Sequence, residues 1–198
     1  MRKIIIILSI FILFLTNGCS TDENVNQSGL YAFTLNVNNY DEYASNELAL
    51  HLLTYYGKEY EIVKDSLKLG RGIFVFGKET PTVLYPVWQD DIVTGVFNVV
   101  YYNEQFGGSY SEGNSEQLSY AIGKTHQERP LKLLKTENGF YYSIGNDVYS
   151  MTGNPGETVN DISIKIEFFK KFLLNNGKVV NVQEILEYIP ITSIEFLE

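Results

Sequence analysis

Thr82-Val-Leu-Tyr-Pro-Val-Trp-Gln-Asp-Asp-Ile-Val-Thr-Gly-Val-Phe-Asn-Val-Val-Tyr-Tyr102 carries the strongest structural signal in this 198-residue chain. Two runs rich in β-branched and aromatic residues, Thr82 to Trp88 and Ile92 to Tyr102, flank Gln89-Asp90-Asp91, the pattern of a β-hairpin. In the second run Val93, Gly95, Phe97, Val99 and Tyr101 face one way. Ile92, Thr94, Val96, Asn98, Val100 and Tyr102 face the other. Both faces carry apolar side chains, so the pattern predicts a central strand.

Short strands are expected before this hairpin at Leu30–Val37, Tyr60–Val63, Ser66–Leu69 and Ile73–Phe76, with Gly70 and Gly72 as punctuation. Asp41–Tyr56 reads as a helix: Tyr43, Leu48, Leu52 and Tyr55 approach helical spacing, and Gly57 stands where a C-terminal glycine belongs. After the hairpin, Gln105–Ser109 reads as a loop. Asn114–His126 reads as a second helix, with Asn114 and Gln117 resembling a capping box and Leu118, Ala121, Ile122 and Thr125 as its buried stripe. Turns at Glu137-Asn138-Gly139 and Gly145-Asn146 then join three short strands into a meander. Ile162, Ile164 and Ile166 alternate like a strand, and the region beyond has a helical alternative. The expected class is α+β, an antiparallel sheet of about six to nine strands with two or three helices packed on one side.

The N-terminus gives a second signal. Arg2 and Lys3 precede an apolar stretch, Ile4 to Leu15, of signal-peptide length and too short for an ordinary membrane span. Leu15-Thr16-Asn17-Gly18-Cys19 follows and contains the only cysteine. This resembles the lipobox of bacterial lipoproteins, with Thr16 where that family usually has Leu. The resemblance implies cleavage before Cys19, lipidation of its sulfur by diacylglyceryl transfer, and an extracytoplasmic membrane anchor, for which two acyl chains suffice. The alternative is an ordinary secretory leader with a leftover cysteine. The expected division is residues 1–18 as leader, 19–29 as lipidated cysteine and polar tether, and 30–198 as one globular domain.

Composition excludes some partners. The formal charge is −9, and it becomes two units more negative if Arg2 and Lys3 leave with the leader. Such a chain repels a phosphate backbone, so no nucleic-acid partner is expected. A lipidated Cys19 leaves no thiol for a disulfide or a nucleophile. The 15 Tyr and 12 Phe suit an AT-rich coding sequence, so their number is not read as a ligand signature.

No reacting constellation emerges. His51 and His126 lie on predicted helices without a metal-ligand neighbour at i+4, and no Gly-x-Ser-x-Gly elbow occurs. Asp90-Asp91 reads as a polar turn; as a calcium site it supplies too few oxygens alone. Gly70-Arg71-Gly72 and Gly107-Gly108 resemble phosphate loops only superficially. No cofactor, metal or catalytic residue is assigned. Tyr85, Trp88, Tyr101 and Tyr102 are the candidate binding residues, with sheet packing as the competing reading.

Leu67-Lys-Leu-Gly70, the stretch Tyr85 to Val99, and Ser109-Tyr-Ser111 before a helix together resemble the prosegment module of papain-like cysteine proteases of the staphopain kind, over residues 60–150. The resemblance implies a half-barrel-like α+β fold that covers another protein's cleft. No protease domain is expected within residues 151–198. The leading expectation is a non-enzymatic surface lipoprotein that binds a protein or peptide, inhibitor- or immunity-like. The alternatives are an envelope small-ligand or transporter-accessory lipoprotein, and a hydrolase whose site assembles in space.

Overall fold

The structure, a computed structural model, describes residues 23–77, 80–125, 131–166 and 187–191, with residues 23–38 described as backbone only. The chain order is α1 (Glu23–Tyr56), α2 (Tyr60–Val63), β1 (Leu67–Gly70), β2 (Ile73–Phe76), β3 (Thr82–Gln89), β4 (Ile92–Tyr102) and β5 (Gln105–Ser111). It continues with α3 (Ser115–Lys124), β6 (Leu131–Thr136), β7 (Gly139–Ile144), β8 (Asp147–Ser150) and β9 (Tyr188–Ile189). The class is α+β, and the sheet is open.

The β3–β4 hairpin is its centre. Gln89 pairs with Ile92, so the turn is Asp90-Asp91 alone. Both aspartates have positive φ, 48° and 65°, the type I′ geometry that matches strand twist. Seven of the eight residues of β3 are buried. The sheet order is β5-β4-β3-β2-β6-β7-β8, and β1 pairs with β3 and β9 off that path. Among the described residues every strand pair is antiparallel except β2–β6, where Val75 lies beside Leu133 in parallel.

β1 and β2 are one strand broken in two. Leu69 pairs with Val87 and Ile73 with Leu84, so one extra residue is accommodated around Arg71. Pro86 explains the break. The Tyr101 N–H donates to the Pro81 carbonyl, and alternation from there turns the backbone of Pro86 away from β4 and towards β1–β2. A proline has no N–H to offer there, and the neighbouring strand bulges at that point. Gly70 and Gly72 let the chain close over it. A Cβ on Gly70 would lie 2.7 Å from Pro86 Cγ, and one on Gly72 would lie 2.5 Å from Val83 Cγ1.

Two cores form, one on each face. Tyr40, Ala44, Leu48, Ala49 and Leu52 of α1 pack with Val83, Tyr85, Val87, Phe97 and Val99. On the opposite face Leu118, Ala121 and Ile122 of α3 pack with Leu84, Trp88, Val93, Val96, Leu133 and Tyr142. The helices thus cover both sides of the sheet and not the single side expected from the sequence. The cause is the two-faced apolar character of β3 and β4, since each apolar face needs a cover.

Other local expectations also change. Leu30–Val37 and the polar residues Glu23–Gly29 belong to the 34-residue helix α1. Alternation alone did not make a strand: a helix already docked through Tyr40–Leu52 gains one hydrogen bond per residue as it extends. Tyr60–Val63 is a single helical turn, residues 162–166 are helical, and Gln105–Ser111 is a strand. Gly57, at φ 56°, ends α1 as expected. The capping box does not form. Asn114 has φ 68° with no side-chain cap, and Gln117 donates instead to the Gly153 carbonyl at 2.6 Å. His126 and most of the C-terminal runs beyond residue 166 lie outside the described residues.

Candidate functional site

The four candidate residues do not form one cluster. Tyr85 faces the α1 core and is fully buried; its hydroxyl donates to Asp41 Oδ1 at 2.8 Å. Burial, then the Asp41 carboxylate, push its pKa far above the ordinary phenol value. Arg71 Nη1 donates to Asp41 Oδ2 at 3.4 Å, and Arg71 Nε lies 3.7 Å from Glu187 Oε2. Tyr85 and Arg71 thereby tie α1 to the sheet at the β1–β2 break. Trp88 faces the α3 core, 6% exposed, edge-on to Tyr188. Tyr101 is half-buried against Phe106 on the α1 face. Only Tyr102, 65% exposed, presents its ring to solvent.

Tyr102 borders an open groove of about 630 Å³. Thr80, Thr82, Val100, Lys135 and Glu137 also line it. Thr82 is buried and its hydroxyl donates to the Thr80 carbonyl.

The β4–β5 turn adds a feature that the sequence reading missed. Tyr102 pairs with Gln105, leaving Asn103-Glu104 as a two-residue turn with φ 49° and 62°. In such a hairpin the residues flanking the turn exchange hydrogen bonds, so Gln105, Gly107, Ser109 and Ser111 point their backbone groups at β4. Phe106, Gly108 and Tyr110 point theirs outward. No described strand pairs with that outer edge. The Gly108 N–H is held by the Tyr43 hydroxyl oxygen, a bond consistent with this phase.

An aromatic rim follows the edge along α1. Tyr43 stacks on Phe106 at 5.4 Å, Tyr56 and Tyr110 share a hydroxyl contact at 3.2 Å, and Tyr55 meets the Tyr110 ring at 5.0 Å. Tyr110 leans over Gly95, where a Cβ would lie 2.4 Å from its ring. Burial first, then the Tyr56 hydrogen bond, raise the Tyr110 pKa. The alternation Phe106, Gly108, Tyr110 and the short Asn103-Glu104 turn were the sequence signals for this strand.

His51 lies on α1 with its ring 5.1 Å from Phe97. Asp90 and Asp91 form the turn, and Asp91 pairs with Lys68 at 3.5 Å. Among the described residues there is no group of three metal-ligating side chains. No described helix is long and apolar enough to cross a membrane. Cys19 lies outside the described residues. Comparison with protein-family models and with curated proteins finds no match.

Proposed function

We propose that this chain is a lipid-anchored, extracytoplasmic bacterial protein that binds an extended segment of another protein, in the manner of an inhibitor or immunity factor. Its function would lie in a surface and not in a reacting side chain. The observation that carries the reading is the outer edge of β5. It is seven residues long, and Gln105-Phe-Gly-Gly-Ser-Tyr-Ser111 contains no charge and no proline. Open edges of that kind are usually blunted, because they accept a further strand. Strand addition is a general mode of peptide recognition, with affinity from the main chain and selectivity from flanking side chains.

The anchor rests on Cys19, which ends the apolar leader. In the Cys19→Ala protein, acyl labelling should be lost and the protein should leave the membrane fraction. Labelling that persists would reject lipidation at this residue. For the edge, a photo-crosslinking residue at Ser109 should capture a partner in the native envelope, whereas one at Asn146, in the β7–β8 turn, should not. Equal capture from both positions would reject the edge.

The Tyr102 groove favours a second reading, a small-ligand or transporter-accessory role. An exposed ring beside Lys135, Glu137 and threonine hydroxyls suits a polar molecule with one stackable face. Under this reading Tyr102→Ala abolishes ligand binding and leaves crosslinking at Ser109 unchanged.

A further inference from the structure

We infer that the β5 edge is matched to a cationic partner strand, an extended segment whose Lys or Arg side chains face Glu47, Glu104 and Glu112 while its backbone pairs with Phe106, Gly108 and Tyr110. The inference rests on the reading that β5 receives a strand, and it adds the chemistry of what arrives.

Charge is segregated along this chain. No Lys, Arg or His occurs between Glu79 and Gly123, the stretch that supplies β3, β4, β5 and most of α3. No Lys or Arg occurs between Tyr40 and Gly57, the part of α1 that flanks β5. Carboxylates remain in both. Glu104 stands in the turn that opens β5, and Glu112 follows its last residue. Glu47 is close enough to the Tyr43 hydroxyl to raise its pKa, after burial as the larger cause. That hydroxyl is the group on the Gly108 N–H. Three carboxylates therefore mark the two ends and the middle of the edge.

The aromatic rim suits the same ligand. Tyr55 is half exposed, and its hydroxyl donates to the Glu112 carboxylate. An ammonium or guanidinium placed there meets a ring face and a carboxylate together. An incoming backbone carbonyl can take the Gly108 N–H from Tyr43, so the exchange leaves no donor unpaired. An acidic strand would meet like charge at each of the three positions, which selects against it.

The test uses the full chain and three synthetic peptides of one length, alternating Lys-Thr, Gln-Thr and Glu-Thr. Affinity is measured by titration, and protection of the Phe106 and Tyr110 amides by hydrogen exchange. The expected order is Lys-Thr, then Gln-Thr, then Glu-Thr, with both amides protected by the Lys-Thr peptide. The triple variant Glu47→Gln, Glu104→Gln, Glu112→Gln keeps side-chain shape. It should lower Lys-Thr affinity by about tenfold or more, since exposed pairs contribute modestly and add. Its Gln-Thr affinity should be unchanged. If all three peptides protect the edge amides with equal affinity, the charge inference falls and strand addition stands. If the Lys-Thr peptide binds without protecting Phe106 and Tyr110, or no peptide binds, the edge itself is rejected. If the triple variant keeps full Lys-Thr affinity, the attraction is general to an acidic protein and the inference is overturned.

Discussion

Trp88 shows how burial changes the role of a residue. A lone tryptophan in a strand that ends at a turn reads equally as a ligand platform or as packing. Here its ring lies between α3 and Tyr188, 6% exposed, against Gly70. Truncating a buried ring of this size removes apolar contact and leaves a cavity. Trp88→Ala should therefore cost about 3–5 kcal/mol of unfolding free energy. Urea unfolding measures it; a loss below about 1 kcal/mol would contradict the packing described. Tyr85 is similar, since its hydroxyl is committed to Asp41 and its ring to the α1 core. Sequence marked both residues as aromatic members of a hairpin. It could not separate them from Tyr102, because what covers each face, α1 over Tyr85 and α3 over Trp88, is decided by contacts distant in sequence. The one break in alternation is in β4, where an extra residue at Thr94 puts Val93 on the α3 face and not, as expected, on the face of Phe97.

At the scale of elements, the β3–β4 and β6–β7 hairpins were legible and β5 was not. β3, β4, β6 and β7 announce themselves through alternating branched and aromatic side chains. Gly107 and Gly108 weaken that signal in β5, since glycine has low strand propensity. Their role becomes visible only in three dimensions. A Cβ on Gly108 would lie 2.5 Å from Phe97 Cζ and 3.2 Å from Tyr43 Cε1. Gly108→Ala should thus cost about 1–3 kcal/mol through overpacking. At Gly107 the nearest atom to an added Cβ is Val100 Cγ2, at 3.5 Å. Gly107→Ala should be close to neutral, so paired thermal melts of the two variants test the packing of β5 against α1. α1 was misread at its start for a related reason. The apolar alternation of Leu30–Val37 is a local signal, and the docking of Tyr40, Ala44 and Leu48 is a tertiary one.

For the whole molecule, the α+β class followed from patterning alone, whereas the double-sided cover and the parallel pair did not. Which face a helix takes, and which distant strand lies beside β2, depend on contacts far apart in sequence. The buried phenols give the domain a collective property. Burial, opposed in part by a hydrogen bond from the Gly156 backbone, pushes the Tyr142 pKa up to about 12 from the ordinary phenol value of 10.0. It raises Tyr40, Tyr85 and Tyr110 further. A phenol with a raised folded pKa keeps its proton after the unfolded chain has lost it. Its contribution to stability is complete below pH 10 and is lost as pH rises through the folded value. Stability should therefore hold up to about pH 10 and fall steeply above it. Tyrosinate absorbance followed alongside circular dichroism checks this. Full ionisation near pH 10 with the fold intact would contradict the burial of these rings.

The parallel pairing of β2 with β6 also sets an order in time. Val75 and Leu133 can meet only after the chain between them has found its place. That stretch holds β3, β4, β5 and α3, and closing it costs entropy before it returns any contact. The β3–β4 and β4–β5 hairpins are local and can form first, each through a two-residue turn. In pulsed hydrogen exchange during refolding, the amides of β4 should be protected before those of β6. The β6–β7–β8 meander then joins an already twisted template, and the rate at which it docks sets how long the edge of β2 stays open to a wrong neighbour.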